Sequence, residues 1–284
     1  MPGVEVLAEA EWRERAAAHR QRARRFTAPH RERKQRGEAH PVLDFLFTYY
    51  SHRPARLEEW HPGPGVVLLG GAEYLVRPGY VADGGGVRLD PTRLPRLAPT
   101  ARFVRTLLTA TAARPPRLSC FGLHEWAMVY RSPTPRHAAV PLRLGAAGTD
   151  AVVEALPVHC THHDAFRFFT PAARPRNADA PARADQVEHE QPGCLHATMD
   201  LYKWAYKLSP ATPADLVAEC LELAADVREL DMRASPYDLA ALGYPPVPIE
   251  TAAGRAAYAR AQAAFARRAA PLRERLVDVC SALL

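Results

Sequence analysis

The chain has 284 residues, 48% of them hydrophobic and 24% charged, proportions that fit a globular protein and exclude disorder along the whole length. No stretch approaches the roughly 20 apolar residues needed to cross a bilayer, and residues 1–10 lack the basic-then-apolar pattern of a secretion signal. Cys120, Cys160, Cys194, Cys220 and Cys280 are odd in number and contain no Cys-x-x-Cys pair. They argue against a disulfide framework or a zinc ribbon, and the expected compartment is the reducing cytoplasm.

The formal charge of +6 is concentrated, since residues 11–36 hold ten Lys/Arg against three Glu, a local net of +7, and the rest is close to neutral. Such a segment either attracts a polyanion, with DNA the expected partner, or forms a solvated helix face in an Arg-rich chain.

The first helix is expected from about Glu9 to Arg25, with Pro29 interrupting it and His30 to Arg36 as a charged connector. Residues 40–50 are almost wholly apolar and aromatic, the pattern of a core helix opened by Pro41 in its first turn. From Gly63 to Asp90 the runs Val66–Leu69, Glu73–Val76 and Val87–Leu89, separated by glycines, read as short strands or an irregular excursion. Thr100 caps a helix of about thirteen residues, and a second apolar helix covers 121–130. Val140–Leu144 reads as a strand and Asp150–Leu156 as a short helix. Residues 171–193 lack periodicity and read as a long mobile loop. An aromatic helix follows over Leu195–Leu208. Thr212-Pro213-Ala214-Asp215 opens another that runs to Arg233. A last Ala/Arg helix spans Thr251–Leu284, interrupted or kinked by Pro271. The fold class is mainly α: a multi-helix globular domain over 37–284 with a small β excursion near 63–90, preceded by the basic N-terminal helix and connector of 1–36.

Two segments share a layout that carries chemistry. His40 and Asp44 are four apart, as are His196 and Asp200, so on a helix each pair projects an imidazole and a carboxylate from one face. His124 with Glu125 and His162 with Asp164 add two more polar clusters in apolar surroundings, where a carboxylate is costly unless hydrogen-bonded or bound to a cation. Taken singly, each carboxylate is explained by holding a neighbouring His or capping a helix; taken together, the clusters suggest a shared site. One reading is a metal site for Fe, Mn or Zn on a small-molecule oxygenase or hydrolase. Its ligands come from His40, His124, His162 and His196, with Asp44, Glu125 and Asp200 as oxygen donors. The other needs no metal. A carboxylate among Asp200, Glu125, Asp44 and Asp164 stabilises a sugar cation and directs water, while Tyr49, Tyr50, Trp126, Tyr202, Trp204 and Arg167 hold a base. Core packing accounts for most of these aromatics under either reading.

The runs His40-Pro41-Val42 through Tyr50, Gly122 through Tyr130 and Cys160 through Thr170 resemble an actinobacterial family labelled 3-methyladenine DNA glycosylase. So do Gly193 through Leu208 and Arg228 through Leu239. The resemblance implies excision of alkylated purines from DNA, with the basic segment around Arg13 to Arg36 gripping phosphates. It transfers no catalytic residue, because the Gly-rich hairpin followed by Asp of the helix-hairpin-helix glycosylases has no counterpart in this chain. The site residues above are read from their chemistry. A third reading is a partner-binding or DNA-binding protein in which the polar pairs only tie helices together.

Overall fold

The computed structural model describes residues 4–134 and 139–284. Strand β1 (Glu5–Leu7) leads into the long helix α1 (Glu9–Gln35), followed by the single-turn helices α2 (Phe45–Thr48) and α3 (Pro54–Leu57). Strands β2 (Val66–Leu69), β3 (Tyr80–Asp83) and β4 (Gly86–Leu89) come next, then α4 (Ala98–Ala112), α5 (Leu123–Ala127) and α6 (Gly145–Ala155). Helices α7 (His163–Phe166), α8 (Gln186–His189), α9 (Leu195–Lys207), α10 (Ala214–Arg233) and α11 (Ala252–Ala282) complete the described chain. The protein is mainly α with one small sheet, and its residues gather into two compact units. One comprises Met1–Arg105, Leu201–Glu222 and Leu272–Leu284, the other Thr106–Asp200 and Leu223–Pro271. Among the described residues no helix is long and apolar enough to cross a membrane.

In the first unit the sheet runs in the order β1-β2-β4-β3, with β1 parallel to β2 and the other pairs antiparallel. Gly86 is required at the start of β4, because a Cβ there would lie 2.8 Å from the Leu68 carbonyl oxygen. Leu7, Trp12, Trp60, Leu68, Tyr74, Val87 and Leu89 form the apolar core over this sheet. The Trp12 indole N–H donates to the Leu69 carbonyl at 2.8 Å and so ties α1 to β2. Residues 73–76 do not form the expected strand. Tyr74 belongs to a 3-10 turn, its hydroxyl donating to the Trp60 carbonyl at 3.0 Å, while Leu75 and Val76 are exposed, so the alternation a strand needs is missing.

Helix α1 does not stop at Pro29. Its buried face, His19, Ala23, Thr27 and His30, continues on both sides of the proline, and this packing offsets the roughly 3 kcal/mol that an interior proline costs. Pro271 is likewise carried inside α11, between buried Ala269 and Leu272. The basic run on α1 meets acids that the fold supplies. Eight of its ten Lys/Arg have a carboxylate within 4.0 Å, among them Arg13 with Glu73, Arg22 with Glu222, Arg31 with Glu58 and Arg33 with Asp44. The uncompensated charge on this helix is therefore much smaller than the linear count.

The core helix expected over 40–50 shrinks to α2. The His40 backbone N–H donates to Asp44 Oδ2 at 2.8 Å, while His40 Nδ1 accepts from the N–H groups of Val42 and Leu43. These side-chain bonds satisfy the backbone outside a helix and compete with it.

Helices α9 and α10 lie where sequence reasoning expects them, although the buried Thr212 Oγ1 makes no capping hydrogen bond. The helix expected over 121–130 is confined to α5. Its start needs Gly122, which has φ +75°, and a Cβ there would press against Ala234 at 3.3 Å and Tyr258 at 3.4 Å. No strand forms over 140–144, where Leu142 makes an isolated bridge to Tyr237. The aperiodic segment 171–193 contains only the 3-10 turn Arg174–Arg176 and α8, yet it buries Asn177, Glu190 and Gln191.

Candidate metal centre

Five segments of the second unit each deliver a donor side chain to its interior. His124 stands in the first turn of α5, and His162 is the extended residue that caps α7. Glu190 is the extended residue that ends α8. His196 and Asp200 are four apart on α9, so both project from one face. Asp231 lies near the end of α10, on the stripe that begins with the buried Leu221 and Ala224 and continues through Arg228. The Asn177 side chain fixes the strand-like segment before His162, accepting from the Cys160 N–H at 2.7 Å and donating to the Cys160 carbonyl at 2.9 Å. The Gln191 Oε1 accepts from the Arg117 and Gly193 N–H groups and so sets the turn between Glu190 and α9.

These residues form two triads, His124/His196/Asp231 and His162/Glu190/Asp200, each with its donor atoms within 4.8 Å of one another. All six residues are buried. The two triads are neighbours through His196, whose ring centroid lies 4.6 Å from that of His124 and 5.3 Å from that of His162.

The contacts inside the triads are close but poorly aligned as hydrogen bonds. His124 Nε2 lies 2.8 Å from Asp231 Oδ1, yet neither atom has a hydrogen-bond partner among the described residues. His162 Nε2 lies 3.1 Å from Glu190 Oε1 and 3.6 Å from Asp200 Oδ2, and neither ring nitrogen makes a hydrogen bond. Donor atoms that face a common point rather than one another are what a cation requires. Two ligand atoms held about 2.1 Å from an ion at 90–110° sit roughly 3.0–3.4 Å apart.

The electrostatics point the same way. Burial opposes protonation of His124, but Asp231 and then Cys120 outweigh it and raise the imidazole well above its ordinary range. Burial likewise opposes protonation of His162, and Glu190 with Asp200 overcomes it, pushing the group up to about 9. His196 is lowered well below the ordinary range by burial and by His124. Burial would raise Asp231, yet His124 and His196 hold it far below the usual carboxylate range. The carboxylates thus call for positive charge, which protonated imidazoles and Arg228 supply among the described residues. Arg228 is itself buried, its Nη1 donating to Glu125 Oε1 at 2.9 Å and to Asp231 Oδ2 at 3.1 Å. Glu125 therefore sets Arg228, and Arg228 sets Asp231, the outer arrangement that orients a ligating carboxylate.

A small cavity beside the first triad is lined by Cys120, Cys160, Cys194, Tyr258 and Gln262 together with His124 and His196. Cys120 Sγ lies 3.4 Å from His124 Nδ1, and the Gln262 amide donates to the Gly193 carbonyl. Burial pushes the Cys160 and Cys194 thiols up, so they are protonated at neutral pH.

The structure brings together four residues singled out from sequence, His124, His162, His196 and Asp200, and sets Glu125 beside them through Arg228. Asp44 and His40 belong to the first unit, where Asp44 binds Arg33 and His30 and stays below the usual carboxylate range against the effect of burial. Asp164 pairs with Arg167 at 3.2 Å, and the Arg167 guanidinium stacks over Phe168. Trp126 is buried with its N–H on the Ala234 carbonyl. Tyr49 and Tyr50 pack on Phe45 and on each other, Tyr50 meets Tyr202 edge-on, and Trp204 meets Phe103 in the same way, all within the first unit. Sequence reasoning missed Asp231, Arg228 and Glu190. The first two were detectable, because a charged pair three apart falls on the stripe of α10 that is apolar upstream. Glu190 carries no periodic signal at all.

No family model, curated protein or solved structure matches this chain. The geometry of the site therefore carries the functional argument.

Proposed function

We propose that the second unit holds a two-cation centre and that the protein is a metal-dependent oxidoreductase or hydrolase acting on a small molecule. His124, His196 and Asp231 would hold one ion, and His162, Glu190 and Asp200 the other. Three imidazoles and three carboxylates make a mixed nitrogen/oxygen set suited to Fe, Mn or Zn. A redox-active pair would support oxidation, and zinc would support hydrolysis by lowering the pKa of bound water. The observation that carries this reading is a set of buried atoms, His124 Nε2 at 2.8 Å from Asp231 Oδ1 and His162 Nε2 at 3.1 Å from Glu190 Oε1, in which His124 Nε2, Asp231 Oδ1 and His162 Nε2 make no hydrogen bond among the described residues. Left without an ion, such atoms carry an unsatisfied desolvation cost that a protein rarely keeps for stability alone.

The DNA glycosylase reading asks for a carboxylate uncommitted to other groups. Glu125 is engaged by Arg228, and Asp200 shares His162 with Glu190. The metal reading takes precedence for that reason. Titration of the metal-free protein with Co(II), followed in the visible spectrum, tests it. Ligand-field bands should saturate at about two equivalents, and His196→Ala should reduce affinity by a factor of 10 or more. Absence of bands with the folded protein would overturn the reading, as would release of base from methylated DNA by protein stripped of metal.

A further inference from the structure

A histidine that ligates a metal through one ring nitrogen carries its proton on the other, and the group that receives that proton fixes the tautomer and the direction of the ring. His124 turns Nε2 toward Asp231 Oδ1 at 2.8 Å, so Nε2 is its ligating atom and Nδ1 its outer one. Cys120 Sγ lies 3.4 Å from that Nδ1. His162 differs. Its Nε2 also faces carboxylates, but its Nδ1 is buried and has no hydrogen-bond partner among the described residues. The two triads are therefore supported unequally.

The backbone is bent to bring the sulfur there. The Leu123 N–H donates to the Cys120 carbonyl at 2.9 Å and closes a turn over Phe121 and Gly122. Both of these residues are left-handed, at φ +48° and +75°, the pattern of a type I′ turn. Gly122 adopts that conformation freely, whereas Phe121 is strained in it. The Phe121 ring meets Tyr258 edge-on with centroids 6.5 Å apart, a contact that offsets part of the strain. The turn folds residue 120 back onto the first turn of α5, where His124 stands. Cys120 Sγ does not join the donor atoms of the first triad that lie within 4.8 Å of one another, so it acts on the ring rather than on the ion.

We infer that Cys120 is a positioning residue of the first ion: its sulfur accepts the Nδ1–H of His124 and so holds the ring in the tautomer and direction that present Nε2 to the metal. This rests on the metal reading above, and it adds that one of the two sites depends on a thiol while the other does not.

Co(II) titration of the metal-stripped full chain, kept reduced, tests the inference on the wild type, Cys120→Ala and Cys120→Ser. Cys120 is half-buried, so both variants should melt with the wild type. In Cys120→Ala one equivalent should bind as in the wild type and the other about tenfold or more weaker. Serine offers an acceptor close to the same place, so Cys120→Ser should recover most of the lost affinity. In the zinc-loaded wild type, nitrogen NMR should show His124 as the Nδ1–H tautomer, and the opposite tautomer would overturn the inference whatever the variants do. Two wild-type equivalents in a folded Cys120→Ala protein would overturn it and leave the metal reading intact. An equal loss in Cys120→Ser would do the same, as would a sulfur-to-cobalt charge-transfer band that is present in the wild type and absent from Cys120→Ala, since Cys120 would then be a ligand. Absence of ligand-field bands in the wild type would instead remove the metal reading and this inference with it.

Discussion

Arg228→Met is the substitution that most sharply probes how the interior of the second unit is balanced. Arg228 is 1% exposed and its guanidinium bridges Glu125 and Asp231, at 2.9 and 3.1 Å. Met fills the volume of the aliphatic stem, so the cavity term is small and the charge term dominates. Removing one partner of a buried ion pair costs about 3–5 kcal/mol, because the remaining charge keeps its desolvation cost. For a chain of this size that corresponds to a fall in Tm of roughly 6–20 °C. Adding Glu125→Gln to Arg228→Met removes one of the stranded charges and should recover about 1–3 kcal/mol. Urea and thermal unfolding of the wild-type, both single variants and the double variant give the coupling directly. A loss below about 1 kcal/mol in Arg228→Met, or strict additivity in the cycle, would refute the charge balance described for this site.

Two further outcomes follow from single groups. Burial, reinforced by Arg77, His19 and Arg56, depresses His61 to about 3, so the unfolded chain takes up its proton first. Stability from this group is complete above about pH 6.5 and falls as pH drops toward 3, by about 2 kcal/mol between pH 6.5 and 5. Unfolding curves at pH 7 and pH 5 should show that loss and show it reduced in His61→Gln, whereas a flat wild-type profile would contradict it. Gly122→Ala forces a side chain into a left-handed backbone and against Ala234 and Tyr258. It should cost about 1–2 kcal/mol and weaken metal binding by displacing His124, and a variant indistinguishable from wild type in both assays would remove Gly122 from the account.

The long amphipathic elements were legible in the sequence because their periodicity is local, although the caps expected at Thr100 and Thr212 do not form: Thr100 lies inside α4 and Thr212 Oγ1 has no hydrogen bond. Thr212-Pro213 opens α10, and the aromatic run 195–208 is α9 almost to the residue. Elements whose fate depends on side-chain bonds were not legible. Asp44 and His40 redirect the backbone before α2, and Pro29 stays inside α1 because buried Ala23, Thr27 and His30 continue one face past it. The same distinction divides the site. The i, i+4 pair His196/Asp200 follows from helix geometry, and its mirror image His40/Asp44 follows from the same spacing yet lies in another unit, with its carboxylate committed to Arg33. Periodicity places residues on a face, but it does not say which faces meet. Glu190 shows the limit most plainly, since it reaches His162 from a segment with no regular structure long enough to leave a pattern.

The most direct test of the central claim is elemental analysis of the full chain purified without chelator. Two triads predict about two equivalents of Fe, Mn or Zn per chain, falling to about one when Asp231→Asn disables the first triad. Metal well below one equivalent, unchanged after reconstitution under reducing conditions, would contradict it.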